Sequence, residues 1–124
     1  MTHDPENENQ LVTLFRPVGP EELKLIEEAN FTAFPPRLPG QPIFYPVCNE
    51  KYADEIAQRW NTKDGNKGYV TRFKVRAEVI ARYPMQVVGA KYHQELWVPA
   101  ADQDLFNQAI VGLIEVIREF SNES

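Results

Sequence analysis

The stretch YVTRFKVRAEVI, residues 69–80, has a hydrophobic period of two. One face carries the aromatic residues Tyr69 and Phe73, and the other carries a cationic stripe of Arg72, Lys74 and Arg76. This alternation predicts one long, half-exposed strand, or two strands joined by a bend. A nucleic-acid platform would place aromatic side chains on the cationic face. Here they point the other way, so we interpret the stripe as a solvated outer face.

Helical patterns lie on both sides of this stretch. Pro20, followed by two glutamates, predicts the start of a first helix, and Asn49 predicts the cap of a second helix that ends near Trp60. A stripe at helical spacing predicts a long helix from Ala101 to Phe120, with these members: Phe106, Ile110, Leu113, Ile117 and Phe120. Further strands are predicted at residues 11–18, 43–48, 85–88 and 94–98. The order of these helices and strands along the chain predicts an α+β fold with an antiparallel or mixed β core, two early helices and a long C-terminal helix.

The length and composition predict a single soluble domain. A chain of 124 residues with 43% hydrophobic residues can bury roughly two-thirds of its unfolded surface. We expect a disordered acidic tail over residues 1–10, one domain over residues 11–120 and a frayed tail over residues 121–124.

Charge and residue usage argue against several classes of function. The net charge of −5 argues against nonspecific binding of nucleic acid or of an anionic membrane, and no apolar run has the length of a membrane span. The chain begins with an acidic segment where a signal peptide is basic, and it contains one cysteine, so we expect a cytoplasmic protein. Cys48 and two histidines are too few for a structural zinc site, so no metal is expected.

The segment AFPPRLPGQPIFYPV, residues 33–47, holds five of the ten prolines. It could be a linker, a P-x-x-P peptide ligand at Pro36–Pro39, or a stiff wall beside a binding site. Its apolar side chains are unsuited to a free tether, and proline restricts the backbone before folding. We therefore interpret the segment as a wall.

Arg16 stands alone in an apolar strand, where it either points to solvent or binds a phosphate or carboxylate through its guanidinium group. Cys48 precedes the cap residue Asn49, so it is either a buried apolar side chain or, with His93, a nucleophile pair.

The segment YHQELWVP, residues 92–99, places His93, Glu95 and Trp97 on one face of a strand. A glutamate beside a large ring can act as a general base or stabilise developing positive charge. The alternative is an edge strand that is protected from other strands by a charge.

Three segments resemble small bacterial proteins labelled "ADP-ribosylation/crystallin J1": residues 11–31, 35–61 and 92–120. The resemblance implies a minimal ADP-ribosyltransferase-like fold, with NAD as the substrate and no metal. It implies that Arg16 contacts the NAD phosphates or ribose, and that Tyr45, with the neighbouring aromatics Phe44 and Trp97, lines the nicotinamide pocket. Glu95 would be the catalytic glutamate.

The chain departs from the family pattern at two positions. Phe44, Tyr45 and Pro46 replace the Ser-Thr-Ser of the arginine-specific class, and His93 stands two residues before Glu95, where that class often carries Glu or Gln. We assign His93 to the catalytic group with Glu95. The expected function is binding of NAD or a related nucleotide, with transfer of ADP-ribose to a protein acceptor or cleavage of NAD. The alternative is a non-catalytic partner-binding domain that uses the proline-rich segment or the C-terminal helix.

Overall fold

A computed structural model describes residues 10–61 and 67–121, and its largest sheet has three antiparallel strands. The strand order is β1–β3–β7, and two smaller pairs, β2–β6 and β4–β5, complete the strands. The strands are β1 Leu11–Val18, β2 Ile43–Phe44, β3 Lys67–Arg76, β4 Met85–Val87, β5 Gln94–Leu96, β6 Val98–Pro99 and β7 Ile110–Ser121. The α-helices are α1 Pro20–Glu28, α2 Glu50–Ile56, α3 Ala77–Ile80 and α4 Gln103–Gln108. A π-helical turn, Ala57–Asn61, extends α2, and a 3₁₀ turn, Ala100–Asp102, precedes α4. The predicted α+β class is therefore confirmed.

Strand β3 lies in the middle of the large sheet and supplies much of the core. It pairs with β1 on one side and with β7 on the other, and Val70, Phe73 and Val75 on it are buried. The strand begins at Lys67, two residues earlier than predicted, and ends at Arg76 rather than at Ile80. The stretch Ala77–Ile80 forms the helical turn α3 instead, and this turn places Val79 in the core.

The predicted long C-terminal helix is wrong. Helix α4 ends at Gln108, and the chain continues as the twelve-residue strand β7. Strand β7 is rich in β-branched residues, which favour a pleated surface, and Gly112 has a φ of +82°, which an α-helix does not allow. Phe106 is buried as predicted, but Leu113 of the same stripe is 61% exposed.

Four phenylalanines form the centre of the core. Phe34, Phe44, Phe73 and Phe106 are buried, and the ring centroids of four pairs among them lie 4.8–6.1 Å apart. Offset and edge-to-face contacts at such distances are favourable. The side chain of Asn107 holds the backbone of Phe34, since it accepts from its N–H and donates to its carbonyl, each at 3.0 Å. The proline-rich segment is thus anchored in the domain by Phe34 and Phe44, and it is not a linker.

Strand β2 is shorter than the predicted strand over residues 43–48. Its pairing stops at Phe44, and Pro46 has no N–H for a ladder. Val47 returns to the sheet through a bridge to Phe15, with backbone bonds of 2.7 and 2.9 Å, and a second bridge joins Val47 to Glu95. This return brings the segment after β2 between β1 and β5.

The two early helices begin as predicted. Helix α1 starts at Pro20, and Asn30 follows its end in a left-handed conformation with φ of 58°. Asn49 caps α2, because its side-chain oxygen accepts from the N–H of Tyr52 at 2.8 Å. None of the helices in the described ranges has the length and apolar character required to cross a membrane. The predicted tails lie mainly outside the described residues, although Gln10 and Ser121 are described.

Candidate active site

A cleft of about 410 Å³ opens where β1, the chain after β2, α2 and β5 meet, and such volumes are typical of sites for small molecules. Its lining residues are Arg16, Pro17, Tyr45, Val47, Ile56, Glu95 and Trp97. Four side chains that were predicted from the sequence to form a site, Arg16, Tyr45, Glu95 and Trp97, thus line one cleft. The bridge of Val47 to both Phe15 and Glu95 explains this meeting, because it joins the ends of two strands that are distant in the chain.

Two side chains hold the carboxylate of Glu95. The Tyr52 hydroxyl donates to one oxygen at 3.1 Å, and the indole N–H of Trp97 donates to the other at 2.8 Å. Both donors are neutral, and in the described part of the chain Glu95 forms no ion pair. The cleft therefore presents an oriented carboxylate without a cationic partner.

The phenol of Tyr52 remains protonated over a wide pH range. Burial, together with the charge and hydrogen bond of Glu95, raises the pKa of Tyr52 to about 12. A neutral phenol next to a carboxylate stays a donor, so Tyr52 continues to orient Glu95 at any physiological pH.

Arg16 is buried and already paired. Only 8% of its surface is exposed, and its guanidinium donates twice to Glu22, at 2.6 and 3.0 Å. A third bond of 3.1 Å reaches the carbonyl of Tyr45, and the guanidinium carbon lies 4.6 Å from the centre of the Phe44 ring. Arg16 therefore neither points to solvent nor offers an unpaired charge, and two of its five N–H groups remain for a ligand.

The aromatic side of the cleft is formed by Tyr45 and Trp97, whose rings meet edge to face at 6.2 Å. Both rings are partly exposed, so a ligand can contact them. Phe44, in contrast, is completely buried in the core and does not line the cleft. The structure therefore does not bring Phe44 into the cleft with Tyr45, because successive residues of an extended segment point to opposite sides.

The prolines of the wall do not line the cleft either. Pro35 and Pro36 line a separate groove of about 220 Å³ next to α1. The proline-rich segment contributes Tyr45 and Val47 to the cleft, and Pro17 comes from β1. None of the prolines of this segment lines the cleft, so the segment borders the cleft only through side chains at its C-terminal end.

His93 lies outside the cleft lining. Its ring stacks on Tyr52, with centroids 4.5 Å apart, and its Nε2 is 3.3 Å from a carboxylate oxygen of Glu55. Burial raises the pKa of the Cys48 thiol, and the charge of Glu95 raises it further. A raised pKa opposes thiolate formation, so the suggested nucleophile pair of Cys48 and His93 has no support.

Two site residues, Glu22 and Tyr52, did not follow from sequence reasoning. In the sequence, Glu22 is one of the two glutamates that follow Pro20, and Tyr52 lies on the predicted second helix with no role assigned to it. The position of Tyr52, three residues after the cap Asn49, fixes it in the first turn of α2. Its hydroxyl reaches Glu95, 43 residues later, and this contact depends on the tertiary fold alone.

Within residues 10–61 and 67–121, no group of three or more His, Cys, Asp or Glu side chains could hold a metal ion. Comparisons with protein-family models, curated proteins and solved structures find no match to this chain. The geometry of the cleft is therefore the basis for any statement about function.

Proposed function

We propose that the cleft binds NAD or a related nucleotide through its nicotinamide–ribose half, and that the protein is an ADP-ribosyltransferase-like enzyme of the cytoplasm. The observation that carries the proposal is the carboxylate of Glu95. Two neutral donors orient it, and it forms no ion pair with a residue in the described part of the chain. The oxidised nicotinamide ring is planar and positively charged. A carboxylate beside the partly exposed rings of Tyr45 and Trp97 suits such a ring electrostatically and through cation–π contact.

The proposed reaction breaks the bond between the ribose C1′ and the nicotinamide nitrogen. The bonding electrons leave with neutral nicotinamide, and positive charge develops on the ribose ring. The charge of Glu95 stabilises this transition state, and its remaining lone pairs can accept from a ribose hydroxyl. A water molecule or an acceptor side chain then forms the new bond to C1′ and releases a proton.

The role of Arg16 differs from the one that the family resemblance implies. A phosphate that binds the Nε–Nη2 edge of Arg16 in a bidentate manner must displace Glu22, which already occupies both N–H groups of that edge. We therefore assign the ribose and ring contacts to the cleft, and to Arg16 one further contact through a remaining N–H group. The ADP-ribosyltransferase-like fold remains part of this proposal, without the long C-terminal helix.

Calorimetric titration with NAD and with ADP-ribose tests the binding step. We expect NAD to bind more tightly than ADP-ribose, because ADP-ribose lacks the cationic ring. In an assay of NAD cleavage, Glu95→Gln should lower turnover about 100-fold or more while NAD binding weakens by no more than about tenfold, since the amide keeps the shape of the side chain without its charge. Glu115→Gln, on the exposed face of β7, is the matched control and should leave turnover unchanged. Failure of both ligands to bind at millimolar concentration would contradict the proposal.

A second candidate is a non-catalytic domain that binds a second copy of this chain through β7. Strand β7 is an edge of the large sheet, and Val111, Leu113 and Val116 on it are exposed. An edge with apolar side chains can pair with the same edge of another copy around a two-fold axis. Sedimentation velocity should then show a dimer that Leu113→Lys dissociates, and a monomer at all concentrations would eliminate this candidate.

A further inference from the structure

A second polar cluster lies next to the cleft, around Glu55 on α2. The hydroxyl of Tyr92 donates to one oxygen of Glu55, and Nε2 of His93 lies 3.3 Å from the other. The hydrogen bond from Tyr92 lowers the pKa of Glu55, so the carboxylate is ionised at neutral pH. The cluster thus offers a permanent acceptor to His93.

Both nitrogens of the His93 ring are held. The backbone N–H of Ala90 donates to Nδ1 at 3.2 Å, so the neutral ring carries its proton on Nε2, where it faces Glu55. One contact comes from the backbone of the β4–β5 turn and the other from α2. An imidazole that is fixed from two sides has a defined plane.

The ring of Tyr52 packs against the fixed plane of the His93 ring. The two rings stack with centroids 4.5 Å apart and an interplanar angle of 20°. The hydroxyl of Tyr52 then reaches Glu95 at 3.1 Å. Nearly parallel stacking restricts rotation of the phenol, and the hydroxyl position decides where Glu95 lies in the cleft.

We propose that His93 is a positioning residue: it fixes the Tyr52 ring, and through the Tyr52 hydroxyl it sets the position of the Glu95 carboxylate. In this arrangement His93 transfers no proton and touches no ligand. The inference rests on the proposed function only for its effect on NAD, because the position of Glu95 can be measured without any ligand.

Gly89 provides an independent way to move the ring. A Cβ atom built on Gly89 would lie 2.5 Å from Nδ1 of His93, so Gly89→Ala must displace the imidazole. Gly89 is exposed and no core side chain is changed, so the variant should fold. Lys91→Ala, in the same turn and also exposed, is the matched control.

The indole N–H of Trp97 reports the position of Glu95, because it donates to this carboxylate at 2.8 Å. Its ¹H–¹⁵N resonance, identified by its loss in Trp97→Phe, should shift in Tyr52→Phe, in His93→Ala and in Gly89→Ala, but not in Lys91→Ala. When Tyr52→Phe is already present, His93→Ala should add no further shift, because the hydroxyl that transmits its effect has been removed. Such a cycle separates coupled residues from independent ones.

Two results would overturn the positioning role. One is an indole resonance that neither His93→Ala nor Gly89→Ala moves, and the other is a shift from His93→Ala of equal size with and without the Tyr52 hydroxyl. Should His93→Ala fail to fold, Gly89→Ala with and without Tyr52→Phe gives the same decision.

Titration of the same variants with NAD adds the consequence for binding. We expect Gly89→Ala and His93→Ala to weaken NAD binding about tenfold, as for a misplaced hydrogen bond to a charged group. An absence of NAD binding to the wild-type protein would contradict the proposed function. The indole resonance then still decides whether His93 positions Glu95, so the two failures are distinguishable.

Discussion

At the scale of single residues, the charged side chains of the cleft differ in whether an opposite charge neutralises them. Arg16 and Glu22 neutralise each other, whereas Glu95 is held by neutral donors. Alternation along the strands predicts that Glu95 and Trp97 share a face. No local pattern reveals that Glu22, six residues from Arg16, turns back onto the guanidinium. Compensation of charge is a property of the tertiary fold, and the sequence alone does not specify it.

The Tyr52–Glu95 bond predicts a pH dependence of stability. The pKa of Tyr52 is raised to about 12 from an ordinary 10, so the folded state favours the protonated phenol. The resulting stabilisation is complete below pH 10 and is lost as the pH rises towards 12. We expect the free energy of unfolding, measured by urea denaturation, to fall over this interval. Tyr52→Phe should show a smaller fall, and equal slopes for the two proteins would contradict the assignment.

The Arg16–Glu22 pair gives a prediction with two opposite effects. Glu22→Gln should destabilise the protein by about 1–3 kcal/mol, because it removes the charge that compensates a buried guanidinium. The same change frees the guanidinium and should strengthen NAD binding if a phosphate contacts Arg16. Glu21→Gln, exposed in the same turn of α1, is the control for both measurements. Weaker NAD binding by Glu22→Gln would mean that the pair is needed intact.

At the scale of elements, the sequence predicted the pieces with the clearest local signals. The cap Asn49, the start at Pro20 and the alternation of β3 have physical causes within a few residues. The C-terminal segment failed because residues 106, 110, 113, 117 and 120 satisfy a helical spacing by coincidence. The β-branched composition and Gly112 carried the opposite signal, and pairing with β3 decided the outcome.

Two adjacent residues distinguish the strand from the predicted helix. Ile114 is 2% exposed and Leu113 is 61% exposed. Ile114→Ala should therefore cost about 2–5 kcal/mol of unfolding free energy, as for a buried large-to-small change. Leu113→Ala should cost less than about 0.5 kcal/mol. In a helix with Leu113 in its apolar stripe, the order of the two losses would be reversed.

At the scale of the whole molecule, the cleft is formed by segments from most of the domain. Its residues come from β1, the segment after β2, α2 and the region of β5, which belong together only in the folded state. A ligand bound there should stabilise the entire domain, since the unfolded chain has no such site. At a concentration of about 100 times Kd, this linkage contributes about 2.7 kcal/mol.

Thermal unfolding measures this effect. We expect Tm to rise with NAD concentration in the wild-type protein. Arg72→Ala, on the outer face of β3 and away from the cleft, should show the same rise in Tm. A Tm that is independent of NAD at millimolar concentration would argue against a site in this cleft.

The register of the large sheet also determines how the domain responds to force. Leu11 at the start of β1 pairs with Arg76, whereas Ser121 at the end of β7 pairs with Lys67, at the opposite end of β3. Tension applied between these two ends therefore pulls β1 and β7 along β3 in opposite directions. The hydrogen bonds of both ladders lie across this pull, so they are loaded together in shear and do not open one after another. Under tension the domain therefore resists as a single mechanical unit, because both loaded ladders share the central strand β3.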